Sequence, residues 1–167
     1  GAVAGEVTAA HRRGCKMVAE RAMVRIKVFA DVVLVSAGGY PKDVNLYQAQ
    51  KALDNAAHAV RDGGIIVLVA ECPEGLGNRT FEAWMTGAEA PGASSPDELL
   101  DRIQQEFVLG GHKAAAIATV LKRASVYLVS ALPDETVRQC GMIPFDDLGA
   151  ALDTALGELG PDASLLV

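Results

Sequence analysis

Residues 32–60 read V-V-L-V-S-A-G-G-Y-P-K-D-V-N-L-Y-Q-A-Q-K-A-L-D-N-A-A-H-A-V. The run from Val32 to Val35 is short, β-branched and continuously apolar, the pattern of a strand buried on both faces. Six residues with Gly38, Gly39 and Pro41 then make a turn, and the periodicity changes. Leu46, Ala49, Leu53, Ala56 and Val60 recur at the 3- and 4-residue spacing of an amphipathic helix, which predicts a helix over 44–60 with Asp43 as its N-cap. A buried strand, a glycine-bearing turn and a helix in that order are one half of a βαβ unit.

The same alternation extends along the chain. Val126 to Val129 and Ile65 to Val69 repeat the buried-strand pattern, and Ile143 and Leu165 to Val167 mark two shorter strands. Helical patterns fall at 7–23, 97–107, 113–123 and 147–159, and Pro133-Asp134-Glu135 is a further helix start. The expected fold is therefore α/β: a single, doubly wound, Rossmann-like domain with a mostly parallel sheet and helices on both faces. The Gly-, Ala-, Ser- and Pro-rich stretch 86–96 is expected to be a surface excursion, since neither side of it could bury a core alone.

Composition narrows the function. Of the 167 residues half are apolar, 15 are Lys or Arg and 21 are Asp or Glu, a formal charge of −6. That balance argues against nucleic acid and anionic membrane surfaces as partners, and His11-Arg12-Arg13, the only basic knot, reads as a solvated helix face. The apolar runs are strand-length, well short of the roughly 18 residues that span a bilayer. Cys15, Cys72 and Cys140 are odd in number and widely spaced, so neither a disulfide framework nor a structural zinc site is expected, and a reducing cytoplasm fits. The chain begins at Gly1 and stops in the apolar run Ser164 to Val167, which leads to the expectation of a fragment of a longer protein.

In an open α/β sheet ligands bind beyond the carboxyl ends of the strands. The relevant loops are then 36–41, 71–78 and 130–134, with Gly38, Gly39, Gly75, Gly77 and Asn78 as possible pocket residues. Neither glycine loop has the dinucleotide or P-loop fingerprint. His11, His58 and His112 have no ligand spacing, and no serine elbow or cysteine-nucleophile signature occurs, so no metal is expected on this chain. On the helix after Pro41, Tyr47, Gln48 and Lys51 fall together opposite the apolar stripe, with Asn55 one turn on. A cation, an amide and a phenol at a helix start suit a small carboxylate; the same pattern also describes the wet face of an amphipathic helix.

The segments V-S-A-G-G-Y-P-K-D-V-N-L-Y-Q-A-Q-K-A-L (35–53), G-G-I-I-V-L-V-A-E-C-P-E-G-L-G-N (63–78), F-V-L-G-G-H-K-A (107–114) and V-Y-L-V-S-A-L-P-D-E (126–135) resemble, in order, the C-terminal domain of the nickel-dependent lactate racemase family. The most specific is G-G-Y-P-x-D-x-N-x-Y-Q-x-x-K. In that family two α/β domains close on a cleft. A nickel-pincer nucleotide, attached to a lysine of the N-terminal domain, takes the α-hydride of a 2-hydroxy acid and returns it to the other face.

The resemblance implies that residues 1–167 are the C-terminal, substrate-side domain of such a two-domain racemase or epimerase, an isomerase. The cofactor lysine, nickel ligand and acid/base histidines would lie in the N-terminal domain, which is absent here. On this chain Tyr47, Gln48 and Lys51 match the family residues that contact substrate. No catalytic residue, metal or cofactor is expected on the chain itself, which alone should be inactive; its expected partners are a small 2-hydroxy acid and the N-terminal domain. His112 falls where lactate racemases tend to carry a tryptophan; with Lys113 it would suit a substrate larger or more polar than lactate, or it is a helix-start pair facing water. The alternative function is a Rossmann-type nucleotide or small-molecule binding module with no catalysis of its own.

Overall fold

The computed structural model describes residues 1–87 and 95–167. Its five strands are β1 (Ala30–Ser36), β2 (Val60–Val69), β3 (Ser125–Val129), β4 (Ile143–Phe145) and β5 (Leu165–Leu166), in the order β4-β3-β2-β1-β5. Every pairing is parallel. The described helices are α1 (Val7–Ala22), α2 (Leu46–Ala57), α3 (Arg79–Thr86), α4 (Pro96–Gln105), α5 (Gly111–Leu121), α6 (Asp134–Gln139) and α7 (Leu148–Leu159).

The chain winds outward from β1 to β4 and returns across the sheet to place β5 on the other side of β1. Two cores record this path. One face carries Ile66, Leu68, Val126 and Leu128 against α2, α3, α5 and α6. The other carries Val32, Ile65, Val67 and Tyr127 against Ala151 and Ala155 of α7. Adjacent strand residues alternate between these cores, which is why the strands read as continuous apolar runs. The switch in winding direction falls beside β1, where α/β sheets open a ligand crevice. The loop after β1 carries the Gly38-Gly39 turn.

The structure departs from the sequence reading at several ends. The N-cap of α2 is Asn45, whose Oδ1 accepts from the Gln48 amide at 3.0 Å. Asp43 is instead buried, its carbonyl accepting from the Cys72 amide at 2.9 Å. Val60 opens β2 rather than closing α2. The polar Arg61-Asp62-Gly63-Gly64 step hides that start, because it is an irregularity that shifts the register against β1. Gly64 is required there, since a Cβ would lie 2.6 Å from the Asp31 carbonyl oxygen. The expected excursion over 86–96 lies largely outside the described residues. No helix among the described residues is long and apolar enough to cross a membrane.

Candidate functional site

The loop after β2 builds the start of α2. Leu46 and Tyr47 donate their amides to the carbonyls of Gly75 (3.1 Å) and Leu76 (3.3 Å), while Glu74 donates to the Val44 carbonyl at 2.9 Å. With Asn45 Oδ1 capping Gln48, the first three amides of the helix are all engaged within the chain. The first turn of the helix therefore has no free amide among these three to offer an anion, which leaves side chains as the available donors. Gly77, at φ +91°, makes the arrangement possible, because a Cβ on it would run into the Asn45 amide group. Asn45→Ala is expected to lower stability by about 1 kcal/mol through loss of the cap, read as a lower denaturant midpoint with an unchanged slope.

Tyr47 and Gln48 are half-buried and Lys51 is exposed. Lys51 Nζ donates to Gln48 Oε1 at 2.7 Å. With its carbonyl oxygen so used, the Gln48 amide keeps its NH₂ for an acceptor beside the ammonium. Gln48, Lys51, Lys42, Ser36 and Asn55 line a cavity of about 450 Å³ at the carboxyl end of β1. Tyr47 lies on the other side of Lys51, its ring edge-on to Phe81 with centroids 5.6 Å apart.

Gly38 and Gly39 both have positive φ, at +90° and +72°. The Gly38 amide is bonded to Ser36 Oγ at 3.0 Å, and the Gly39 carbonyl accepts from the Lys42 amide at 2.8 Å. These bonds shape a turn closed on itself, unlike a cradle of free amides around a phosphate.

Two further glycines set the start of α5. A Cβ on Gly110 would lie 2.5 Å from Asn78 Oδ1, and one on Gly111 2.7 Å from the Trp84 ring, so their absence lets α5 begin against α3. Asn78, expected in a pocket loop, caps α3 through the Phe81 amide at 3.0 Å. His112 is half-buried: its Nδ1 bonds the Gly110 amide at 3.2 Å and its ring stacks on Phe107 at 5.7 Å.

The residue beside it completes the group in a way the helix pattern did not reveal. Lys113 Nζ reaches across to α2, donating to Gln50 Oε1 at 2.7 Å and standing 5.0 Å from the Tyr47 ring centroid. Burial, and then the charge of Lys51, lower the Lys113 pKa from its ordinary value. Gln50 itself is 1% exposed. At about 100° per residue it falls within the apolar stripe of α2, so a glutamine on the core face was the available signal.

Other chemistry fits poorly. Burial first, and nearby carboxylates second, push the thiols of Cys72 and Cys140 up to about 12, far from nucleophilic thiolates. Among the described residues no three His, Cys, Asp or Glu side chains converge to hold a metal ion. The donors this arrangement offers are the two ammonium groups of Lys51 and Lys113 and the NH₂ of Gln48.

The chain matches known proteins over nearly its whole length. The family model for the lactate racemase C-terminal domain covers residues 26–167. The lactate racemase of Thermoanaerobacterium thermosaccharolyticum is 35% identical over 167 residues, 99% of this chain and 39% of that protein. The Lactiplantibacillus plantarum lactate racemase is 29% identical, over 100% of this chain and again 39% of its own length. The structure of the T. thermosaccharolyticum lactate racemase apoprotein superposes with a TM-score of 0.86 at 33% identity, over 98% of this chain and 39% of that one. A Thermotoga maritima protein, at 15% identity and a TM-score of 0.60 over 96% of this chain and 40% of that one, shares the fold alone. This chain therefore spans about two fifths of the length of these relatives, and it belongs to the lactate racemase C-terminal domain family.

Proposed function

We propose that this chain is the substrate-side domain of a lactate racemase-like enzyme, one that racemises or epimerises a 2-hydroxy acid in a cleft closed by an N-terminal domain. The observation that carries the reading is the Lys51–Gln48 pair at the carboxyl end of β1. Lys51 anchors the substrate carboxylate as a point charge, and the Gln48 NH₂ donates to the same group and fixes its rotation. Tyr47, held edge-on to Phe81, presents its hydroxyl to the substrate beside them, and His112 stands as a wall at the start of α5.

The described residues of this chain do not suit a nickel centre, so the chain's own part is to bind, orient and exclude water. In this reading the nickel-pincer nucleotide, the hydride acceptor and donor, rests on the N-terminal domain. Free Cys15, Cys72 and Cys140 fit a cytoplasmic setting.

The test is to give the complete protein, cofactor loaded, a single enantiomer of a 2-hydroxy acid and to follow enantiomeric composition by chiral chromatography. Both enantiomers are expected to appear. Gln48→Ala should slow this by about tenfold, as loss of one hydrogen bond to a charged group does. Persistence of the starting enantiomer, with tight binding of a nucleotide at Gly38-Gly39 instead, would point to a binding module without catalysis.

A further inference from the structure

Lys51 and Lys113 approach Tyr47 from two helices. Lys51 stands one helical turn beyond it on α2, and Lys113 comes from α5 to within 5.0 Å of the ring centroid. Each ammonium is held by a neutral amide oxygen of α2, Gln48 for Lys51 and Gln50 for Lys113, both at 2.7 Å. Neither forms an ion pair among the described residues, although the chain carries 21 acidic groups against 15 Lys and Arg. Elsewhere cations find carboxylates: Arg61 with Asp31, Lys122 with Asp97, Arg123 with Asp62. Asp54, one turn beyond Gln50, acts on Lys113 after Lys51 does and makes no ion pair with it.

Two unpaired cations side by side, one of them partly desolvated, are unfavourable unless an anion offsets them. The structure also sacrifices core packing to hold the second one. Gln50 takes a place in the apolar stripe, and its buried Nε2 has no hydrogen-bond partner among the described residues. A buried unmatched donor destabilises a fold, so the amide is explained by what its oxygen holds. An ammonium has three donors, and Gln50 uses one.

We propose that Lys113 is the second anion-binding cation of this site, so that the acid bound at Lys51 carries a further carboxylate: a 2-hydroxydicarboxylate. This rests on the reading of Lys51 as the carboxylate anchor. One carboxylate would meet Lys51 and Gln48, the other the free donors of Lys113, with the Tyr47 phenol between them. A monocarboxylate would meet Lys51 and leave Lys113 without a bound anion, with only the charge of Asp54 acting on it.

The experiment uses the 167-residue chain with isotope-labelled lysines. Malate and lactate are titrated at constant ionic strength, following the side-chain resonances of Lys51 and Lys113 by NMR. Malate is expected to shift both lysines and to bind about tenfold tighter than lactate, as a second charge-assisted contact gives. Lys113→Gln should erase that preference, while Lys51→Gln should weaken both acids. If malate shifts Lys51 and leaves Lys113 unmoved in the parent chain, Lys113 is a packing residue and the proposal is overturned, whatever the variants do. It is overturned equally if folded Lys113→Gln keeps the malate preference while Lys51→Gln still weakens both acids. If neither acid moves Lys51 up to its solubility limit, the anchor reading fails and the second site falls with it.

Discussion

Lys51→Ala in the complete enzyme is expected to lower kcat/KM by about 30-fold to several thousand-fold and to leave the melting temperature unchanged. The side chain is exposed and its hydrogen bond is to Gln48, a neighbour on the same helix. It contributes nothing to the apolar core formed by Leu46, Ala49 and Leu53, and alanine is the better helix former. The fold therefore has no reason to suffer. Under the proposed function, activity does, because closure by a second domain would desolvate the ammonium–carboxylate contact. Losing such a contact removes about 2 to 5 kcal/mol, and about 1.4 kcal/mol corresponds to a factor of ten in rate. The loss should exceed that of Gln48→Ala, since the lysine can hold a carboxylate without the amide but the neutral amide holds it weakly alone. Steady-state racemisation on cofactor-loaded protein, with melting measured in parallel, decides the matter. Activity within about twofold of the parent, under 0.5 kcal/mol on the same scale, would assign Lys51 to the solvated face of an ordinary amphipathic helix.

The parts of the candidate site that can be grouped from sequence are those that one helix can display. Tyr47, Gln48 and Lys51 share a face of α2 by helical geometry, but only Gln48 and Lys51 line the cavity, while Tyr47 packs against the core beside Phe81. Lys113 and Gln50 could not be joined in that way, because 63 positions separate them and only the packing of α5 on α2 brings them together. The cap of α2 is ambiguous in the sequence for a related reason. Asp43 and Asn45 are both good caps by type, and the choice is made by the 72–76 loop, which takes the Asp43 backbone into its own hydrogen bonds. α3 leaves little trace in the sequence because eight residues offer only Phe81, Trp84 and Met85 as a periodic signal, too few to separate a helix from the loop before it. Strands β1, β2 and β3 are legible because burial on both faces leaves continuous apolar runs; their order in the sheet is not, and the Val60 start of β2 is hidden by the polar Arg61-Asp62-Gly63-Gly64 irregularity.

Trp84→Ala should be the most destabilising single truncation in the chain, lowering unfolding free energy by about 3 to 5 kcal/mol. The indole is 1% exposed and belongs to the larger of the two cores. Its ring lies so close to the Gly111 backbone that a Cβ there would come within 2.7 Å of it, while the Arg102 guanidinium covers it at 4.2 Å from the ring centroid. Truncation thus removes buried apolar area, opens a cavity between α3, α4 and α5, and discards a cation–π contact worth about 0.5 to 2 kcal/mol. Small domains are stable by about 5 to 15 kcal/mol, so the loss is a large share of the whole. It also reaches the site, because Gly111 begins the helix that carries His112 and Lys113, and α5 without the indole beneath it has no fixed seat against α3. Urea unfolding followed by circular dichroism should show a much lower midpoint. In the folded fraction the Lys113 resonance should move while that of Lys51, on α2, changes less. A fall in stability below about 1 kcal/mol, the size of an ordinary surface change, would mean that the indole is not the wedge that sets α5 in place.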